Sequence, residues 1–321
     1  MTVKPFPRLW LAPMAGYTDS AMRVLSHEMG AEGTVSEMIS ARAVTYRDKK
    51  TVALGRITPA EGPVLLQIFG KEPSVMAEAA GMLAEGYCGS IPFGIDINMG
   101  CPVPKIAGNG EGSALLRDPS LAERIVSAVR AAMPQELPLT CKLRLGYGDA
   151  YTVREVAAAC VAGGAAALFV HGRTRPMMYA GHADWEAIAA LREAVPVPLV
   201  GNGDIDSGGC ALRRIRESGC YGLMVGRAAV GNPFLFREIA AVLAGREPPP
   251  PPTPRERAET ALLHLSSAIR EKGEGLAVRE CRKQIAAYLR ALPGAAALRA
   301  SVMSATTYRE VEAIVAAWIG E

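Results

Sequence analysis

The amino-acid sequence predicts an α/β fold, a (β/α)8 TIM barrel followed by a small C-terminal helical bundle. Three observations predict it. Eight short apolar runs alternate with helical stretches over about 240 residues, matching a (β/α)8 barrel in number and length, whereas a doubly wound sheet usually needs fewer units. Nearly every run ends in polar or glycine-rich residues, as strands do when they deliver side chains to a barrel mouth. A proline-rich stretch then breaks the composition at 246–254 and further helical periodicity follows it.

Taken in order, residues 9–12 form an apolar run closed by Pro13-Met14-Ala15-Gly16, with Asp19 as N-cap of a helix running to Met29. Residues 34–38 and 64–69 are the second and third strands, with a helix over 73–85 behind the third. The fourth spans 94–98 and ends at Asn98-Met99-Gly100-Cys101-Pro102, where Gly100 permits a tight turn and Pro102 stiffens the exit. Strands at 139–143, 167–171, 198–201 and 221–225 complete the set, and 232–243 closes the barrel as a helix. Beyond the prolines, 255–272, 276–292 and 308–319 carry helical periodicity. The expected organisation is a barrel over 1–245, a linker over 246–254 and a helical domain over 255–321.

Composition excludes several classes. With 50% hydrophobic and 21% charged residues in 321, the chain can bury a large core and is not disordered. Its seven cysteines are odd in number, without a CxxC pair or a Cys/His cluster at ligand spacing, so neither a disulfide framework nor a metal site is expected. The N-terminus lacks an apolar run long enough for a signal peptide or a membrane span. A cytoplasmic protein is expected, a monomer without membrane or metal.

The residues just after each strand are the candidate site: Met14, Glu37, Gln67, Asn98 with Cys101, Lys142 with Arg144, His171 with Arg173, Asn202-Gly203-Asp204, and Gly226-Arg227. The last two are glycine turns where barrels bind phosphate, and Arg227 adds charge there. Lys142, at the end of an apolar strand, needs an anionic partner to offset its desolvation. Gln67 and Lys142 together suit an isoalloxazine ring, whose reduced form carries negative charge near N1 and O2.

At this point the sequence resembles the tRNA-dihydrouridine synthases, FMN-dependent barrel enzymes. The likeness rests on Ala12-Pro13-Met14-Ala15-Gly16-Tyr17-Thr18-Asp19, Val35-Ser36-Glu37-Met38, Gln67-Ile68-Phe69-Gly70, residues 96–102, His171-Gly172-Arg173-Thr174-Arg175, Asn202-Gly203-Asp204-Ile205 and Val225-Gly226-Arg227-Ala228. The resemblance implies that Pro13, Met14, Ala15, Gln67, Lys142, His171, Asn202, Gly203, Asp204, Gly226 and Arg227 line an FMN site. It also implies that Cys101 is the proton donor, that Asn98 helps hold the uracil, and that NADPH is the reductant. No GxGxxG fingerprint opens a βαβ unit, so the dinucleotide expectation comes from the resemblance alone. A nucleophilic Cys101 is the competing role and would want a base, for which spacing leaves His171 open.

The 276–292 helix places Val278, Cys281, Ile285, Tyr288 and Leu292 on one side and Arg279, Arg282, Lys283 and Arg290 on the other. Between Gly275 and Arg309 six basic residues stand against Glu280 alone, although the whole chain carries only +3. An RNA backbone suits this face, because Arg and Lys contacts to phosphate position RNA without reading its sequence. Arg173 and Arg175 would continue the track at the rim, and Tyr179 is a possible contact to the target base. Two other classes share parts of the pattern: an FMN barrel acting on a free pyrimidine or small enone, which needs no basic helix, and an RNA-binding protein with a degenerate barrel, which needs no Lys142 or Cys101.

Overall fold

A computed structural model describes residues 5–290 and 295–319. Nine parallel strands form one sheet: β1 (Leu9–Leu11), β2 (Gly33–Val35), β3 (Ile39–Ser40), β4 (Val64–Phe69), β5 (Gly94–Met99), β6 (Leu139–Arg144), β7 (Ala167–His171), β8 (Leu199–Asn202) and β9 (Gly222–Val225). The order is β2-β1-β9-β8-β7-β6-β5-β4-β3, and a further β2–β4 pairing closes the sheet into a barrel. β2 and β3 both pair with β4, at successive levels, so together they occupy one staff of an eight-fold barrel.

The expected continuous strand over 34–38 is corrected here. The Ser36 amide still donates to the Leu65 carbonyl, but the Ser36 hydroxyl then accepts the Gln67 amide at 3.0 Å, a place a backbone carbonyl would otherwise fill. A side chain has replaced a rung of the ladder, and the backbone over 36–38 is released. That release delivers Glu37 to the mouth, where its carboxylate accepts the Gly16 amide at 2.6 Å. The left-handed φ of Gly16, 74°, favours glycine there.

Strand alternation explains both layers of the core. Leu9 and Leu11, Leu66 and Ile68, Ile95, Ile97 and Met99, and Cys141 and Leu143 belong to the outer core packed under the helices. Trp10, Leu65, Phe169, Val200 and Met224 form a separate cluster inside the barrel, with Phe6 and Phe93 packed against it. Trp10 and Phe169 meet edge to face at 5.2 Å. By the same alternation Gln67, Asp96, Asn98, Thr140 and Lys142 share the inner side with this cluster.

Residues 246–253 connect the barrel to a capped helix, Pro254–Lys272, whose Thr253 and Glu256 form a reciprocal capping box. Three more follow, Glu274–Tyr288, Ala295–Ser304 and Tyr308–Ile319. The second of these four starts and ends earlier than the spacing predicts, and Leu292 lies outside the described residues. The Ala295–Ser304 helix was not expected, since its alanine-rich stretch has little polar contrast between faces. Leu265, Val278, Cys281, Ile285, Tyr288, Val302, Val311 and Val315 make a core of their own, which Ala21 of the barrel joins. No helix among the described residues is long and apolar enough to cross a membrane.

The junction between the two cores is charged and buried. Asp19 caps the helix Ser20–Glu28 by accepting the Met22 amide at 3.1 Å, and its other oxygen accepts Lys272 Nζ at 2.9 Å. Lys272 also reaches Glu280 at 3.0 Å, and His264 Nε2 stands 3.6 Å from Asp19. Asp19, His264 and Cys281 thereby gather three potential ligand atoms within 4.8 Å, which spacing did not suggest. The ammonium of Lys272 already neutralises the carboxylate, so the cluster reads as an ion-paired joint. Burial alone would raise the Asp19 carboxyl, but His264 and Lys272 outweigh it and hold it well below the usual carboxylate range. A depressed carboxyl stabilises the fold above its unfolded pKa, about 3.9, and loses that contribution only as pH falls towards the folded value. Lys272→Met is expected to destabilise the protein by roughly 3 kcal/mol in urea unfolding at neutral pH. It should also move the onset of acid unfolding to higher pH.

Candidate active site

The site begins as one level of the barrel. Register sets Gln67 beside Asp96 and Asp96 beside Thr140 on three neighbouring strands, all facing inward. Asp96 is fully buried and accepts from Thr140 Oγ1 at 2.5 Å and from Gln67 Nε2 at 2.7 Å. Since Gln67 must present its amino group to this acid, its carbonyl turns the other way and accepts Asn98 Nδ2 at 2.8 Å. Asn98 Oδ1 is then left to accept the amides of Cys101 at 2.9 Å and Gly100 at 3.2 Å. Every hydrogen bond in this relay has its direction fixed by the carboxylate at its root. Burial pushes the Asp96 carboxyl up to about 6, against the pull of Thr140, Gln67 and Lys142.

Cys101 is thus held by its backbone while its half-buried side chain stays free of the network. The segment after it folds back: Ser113 donates its amide to the Cys101 carbonyl at 3.1 Å, and a Cβ on Gly112 would stand 3.1 Å from that of Cys101. Burial raises the thiol, outweighing the Val103 amide and the Arg144 charge, so it is a protonated acid at neutral pH. His171 lies against Arg173, with His171 Nε2 and Arg173 Nη1 3.2 Å apart, and burial and four surrounding cations hold it neutral. The same burial and cations make it a weak base for a thiol.

The cations form the opposite wall. Lys142 Nζ donates to Asn202 Oδ1 at 3.2 Å, and Asn202 Nδ2 to the Met224 carbonyl at 2.7 Å. Burial and Arg144 bring Lys142 down to about 8, despite Asp96. Arg144 fastens the turn at Cys101 by donating to the Gly100 carbonyl at 2.9 Å and to the carbonyls of Thr174 and Met178. Its guanidinium also faces the exposed Tyr179 ring at 5.6 Å, and that of Arg227 faces the same ring at 4.9 Å. Tyr179 is thus an exposed ring flanked by two guanidinium groups.

Other expectations are corrected. Arg173 does not continue an RNA track: it is 1% exposed and spends its donors on both Asp204 oxygens and the carbonyls of Ala180 and Gly181. Asp204, held at a left-handed φ of 51°, directs its carboxylate to Arg173, to the Ala183 amide and to Arg227. It thereby ties Arg227, at 3.2 Å, to Arg173. Arg282 is drawn to the Ala305 carbonyl and caps the chain there, leaving Arg279, Lys283 and Arg290 as the exposed members of the basic face. Lys283 lies over the Tyr17 ring at 4.2 Å and a Cβ on Gly16 would meet it, so it belongs to the barrel mouth. Pro13, Met14 and Ala15 lie on that same loop after β1, partly open, and a Cβ on Gly226 would come within 3.9 Å only of Ala12 and Met14. A Cβ on Gly203 would collide with Ala183 at 2.6 Å, so that glycine is needed for packing.

Comparison with known proteins decides the family. The profile of the family described as "Dihydrouridine synthase (Dus)" matches residues 10–318. The chain belongs to the dihydrouridine synthase family. It is 40% identical over 302 residues to a "Probable tRNA-dihydrouridine synthase" of Rhodobacter capsulatus, covering 94% of this chain and 91% of that protein. It is 41% identical to "tRNA-dihydrouridine synthase B" of Pseudomonas aeruginosa over 91% of this chain and 87% of the other. Among solved structures, histamine dehydrogenase from Rhizobium sp. 4-9 aligns with a TM-score of 0.56 at 15% identity, over 74% of this chain and 46% of that one. A 2-naphthoyl-CoA reductase gives 0.57 at 12%, over 74% and 50%. This chain spans about half of each of these two structures, and the likeness shows the barrel fold.

For a member of this family, Asp96 and Thr140 are the residues that sequence reading missed. A lone carboxylate and a threonine inside apolar strands announce nothing until register sets them side by side with Gln67. Asp96→Asn can offer its amide in the wrong sense and reverse the Gln67 and Asn98 amides. Dihydrouridine formation by this variant should fall at least tenfold while its thermal stability changes by only a few degrees; a wild-type rate would show that the relay is not needed to hold Cys101.

Proposed function

We propose that this protein is a tRNA-dihydrouridine synthase that binds FMN, takes electrons from NADPH and reduces the C5=C6 bond of a uridine in tRNA. The observation that carries the reading is the turn bearing the Cys101 thiol, fixed through its backbone by Asn98 at the same barrel mouth as the buried Lys142. The family membership and the tRNA-dihydrouridine synthases among its relatives support the substrate.

The mouth fits a phosphate-bearing flavin. Lys142, Arg144, Arg173 and Arg227 all bear on His171, and Asp96 and Asp204 are the carboxylates that answer them. That leaves an excess of positive charge for an anion to satisfy. Gln67, Lys142 and Asn202 would hold the ring, with Met14 beside it, and Arg227 and the Gly226 turn would hold the phosphate. When bound and reduced, FMN supplies a hydride for C6 of the uracil.

The chain itself supplies the acid. Cys101 keeps its proton because burial raises the thiol, and it gives that proton to C5 and is reprotonated from solvent, so that uridine, NADPH and one proton become dihydrouridine and NADP+. Asn98 aims the thiol through the backbone, and its second amide hydrogen, which faces Met38 Sδ at 3.9 Å, can exchange that weak contact for the uracil. The uridine must leave its stack to reach this depth, and Tyr179 with Arg227 offers a surface for it at the rim. Residues 1–245 act as the catalytic domain, 246–254 as linker, and 255–321 as an RNA-binding domain presenting Arg279 and Lys283.

Cys101→Ala should retain flavin and its reduction by NADPH but lose roughly 10²–10⁴-fold in dihydrouridine formation; normal turnover would refute the assignment. Lys142, with Asp96 beside it, is charged below about 8, so FMN affinity should weaken as pH rises through that value. In Lys142→Met, flavin binding should be about 10- to 100-fold weaker and lose that pH dependence, as fluorescence titration would read.

A further inference from the structure

The loop that closes over Cys101 has a second side. Gly112 stands against Cys101, while Gly110 stands against the Lys71 side chain, so that a Cβ on Gly110 would lie 3.3 Å from Lys71 Cδ. Between this loop and the ends of β3 and β4 lies a cleft of about 670 Å³, within the range of small-ligand sites. Arg42, Lys71 and Lys105 line it, with Phe69 half-buried in its wall and two carboxylates, Glu72 and Glu111.

The carboxylates do not cancel the cations. Glu72 meets Arg42 at 3.6 Å, but both side chains are largely exposed, which makes the pair weak and exchangeable. Burial raises the Glu111 carboxyl, against Lys71 and Arg42. Lys71 and Lys105 have no ion pair within 4.0 Å among the described residues. The cleft is also tied to the site by register: Phe69 follows Gln67 by two residues on the same side of β4, about 7 Å further along the strand.

We propose that this cleft takes the nucleotide next to the target uridine, with its phosphate at Lys71, Lys105 and Arg42 and its base against Phe69. The inference rests on the reading of the protein as a tRNA-modifying enzyme. A base drawn out of its stack leaves backbone on both sides to be held. Lys283, over Tyr17, stands at the β1 side of the mouth, and the cleft stands at the β4 side, with the Cys101 loop as its wall. Phosphate contacts would fix the strand, and an aromatic face accepts any base.

The test uses the flavin-loaded full chain and an unmodified tRNA transcript. Arg42→Ala/Lys71→Ala/Lys105→Ala should bind tRNA at least tenfold more weakly, with a slope of log K against log salt shallower by about 2 to 3. KM for tRNA should rise more than kcat falls, and flavin reduction by NADPH should be unchanged. Because the lysines are exposed, Lys71→Gln/Lys105→Gln guards against misfolding and should lower the slope by roughly 1.5. Wild-type slope and affinity in both variants, with tRNA still reduced by the wild type, would overturn the cleft alone. A raised KM for NADPH with tRNA binding intact would also overturn it, by giving the cleft to the dinucleotide. A wild type whose reduced flavin ignores tRNA would overturn the functional reading and the cleft with it.

Discussion

The carboxylate of Asp96 is the constraint on which the site depends. It is buried, it cannot donate while ionised, and its two neighbours in register are a hydroxyl and an amide that can. From that single fact the orientations of Gln67 and Asn98 follow, and with them the two amides that fix the turn at Cys101. The barrel supplies the level at which three strands meet, and Asp96 supplies the direction. A buried carboxylate is costly, and here three hydrogen-bonding or charged neighbours offset the cost. The result is a turn at Cys101 held by three hydrogen bonds, two to Asn98 and one from Arg144.

Electrostatics at the mouth is organised around a second set of matched donors and acceptors. Arg173 and Asp204 satisfy one another and hold Arg227 outward, while His171 stays neutral among cations and adds no charge of its own. Lys142 and Arg144 are both lowered, chiefly by burial and further by neighbouring cations, Arg144 to about 10. Such a group of cations favours an anionic ligand, which is the charge that the proposed flavin phosphate would bring. The Asp19–Lys272 joint sets the helices against the same mouth, since Gln284 of that bundle donates to the Tyr17 carbonyl at 3.3 Å and Lys283 covers the Tyr17 ring. The exposed basic side chains of the helices and the cationic barrel mouth are thereby kept in one frame.

Much of this was legible in the sequence, for reasons that differ by residue. The strands announced themselves because each has an apolar outer face and is closed by glycine or polar residues, and Cys101 stood out because its turn carries Gly100 and Pro102. The interruption at Ser36 was hidden, since a serine side chain taking a backbone rung has no pattern of its own. Arg173 and Arg282 differ from the expectation for one common reason: sequence shows a charge but not the carbonyls or carboxylate that will claim it. Asp96 was within the motif yet silent, because its meaning lies in Gln67 and Thr140, which are 29 and 44 residues away.

The proposed activity is reduction of uridine in tRNA at the barrel mouth, with Cys101 as the acid. The most direct measurement is anaerobic: the flavin-loaded protein is reduced with NADPH, and its absorbance is followed after adding tRNA that lacks dihydrouridine. The account predicts rapid reoxidation with dihydrouridine appearing in the RNA in step. A flavin that stays reduced with tRNA, but is reoxidised by a free pyrimidine or a small enone, would contradict it.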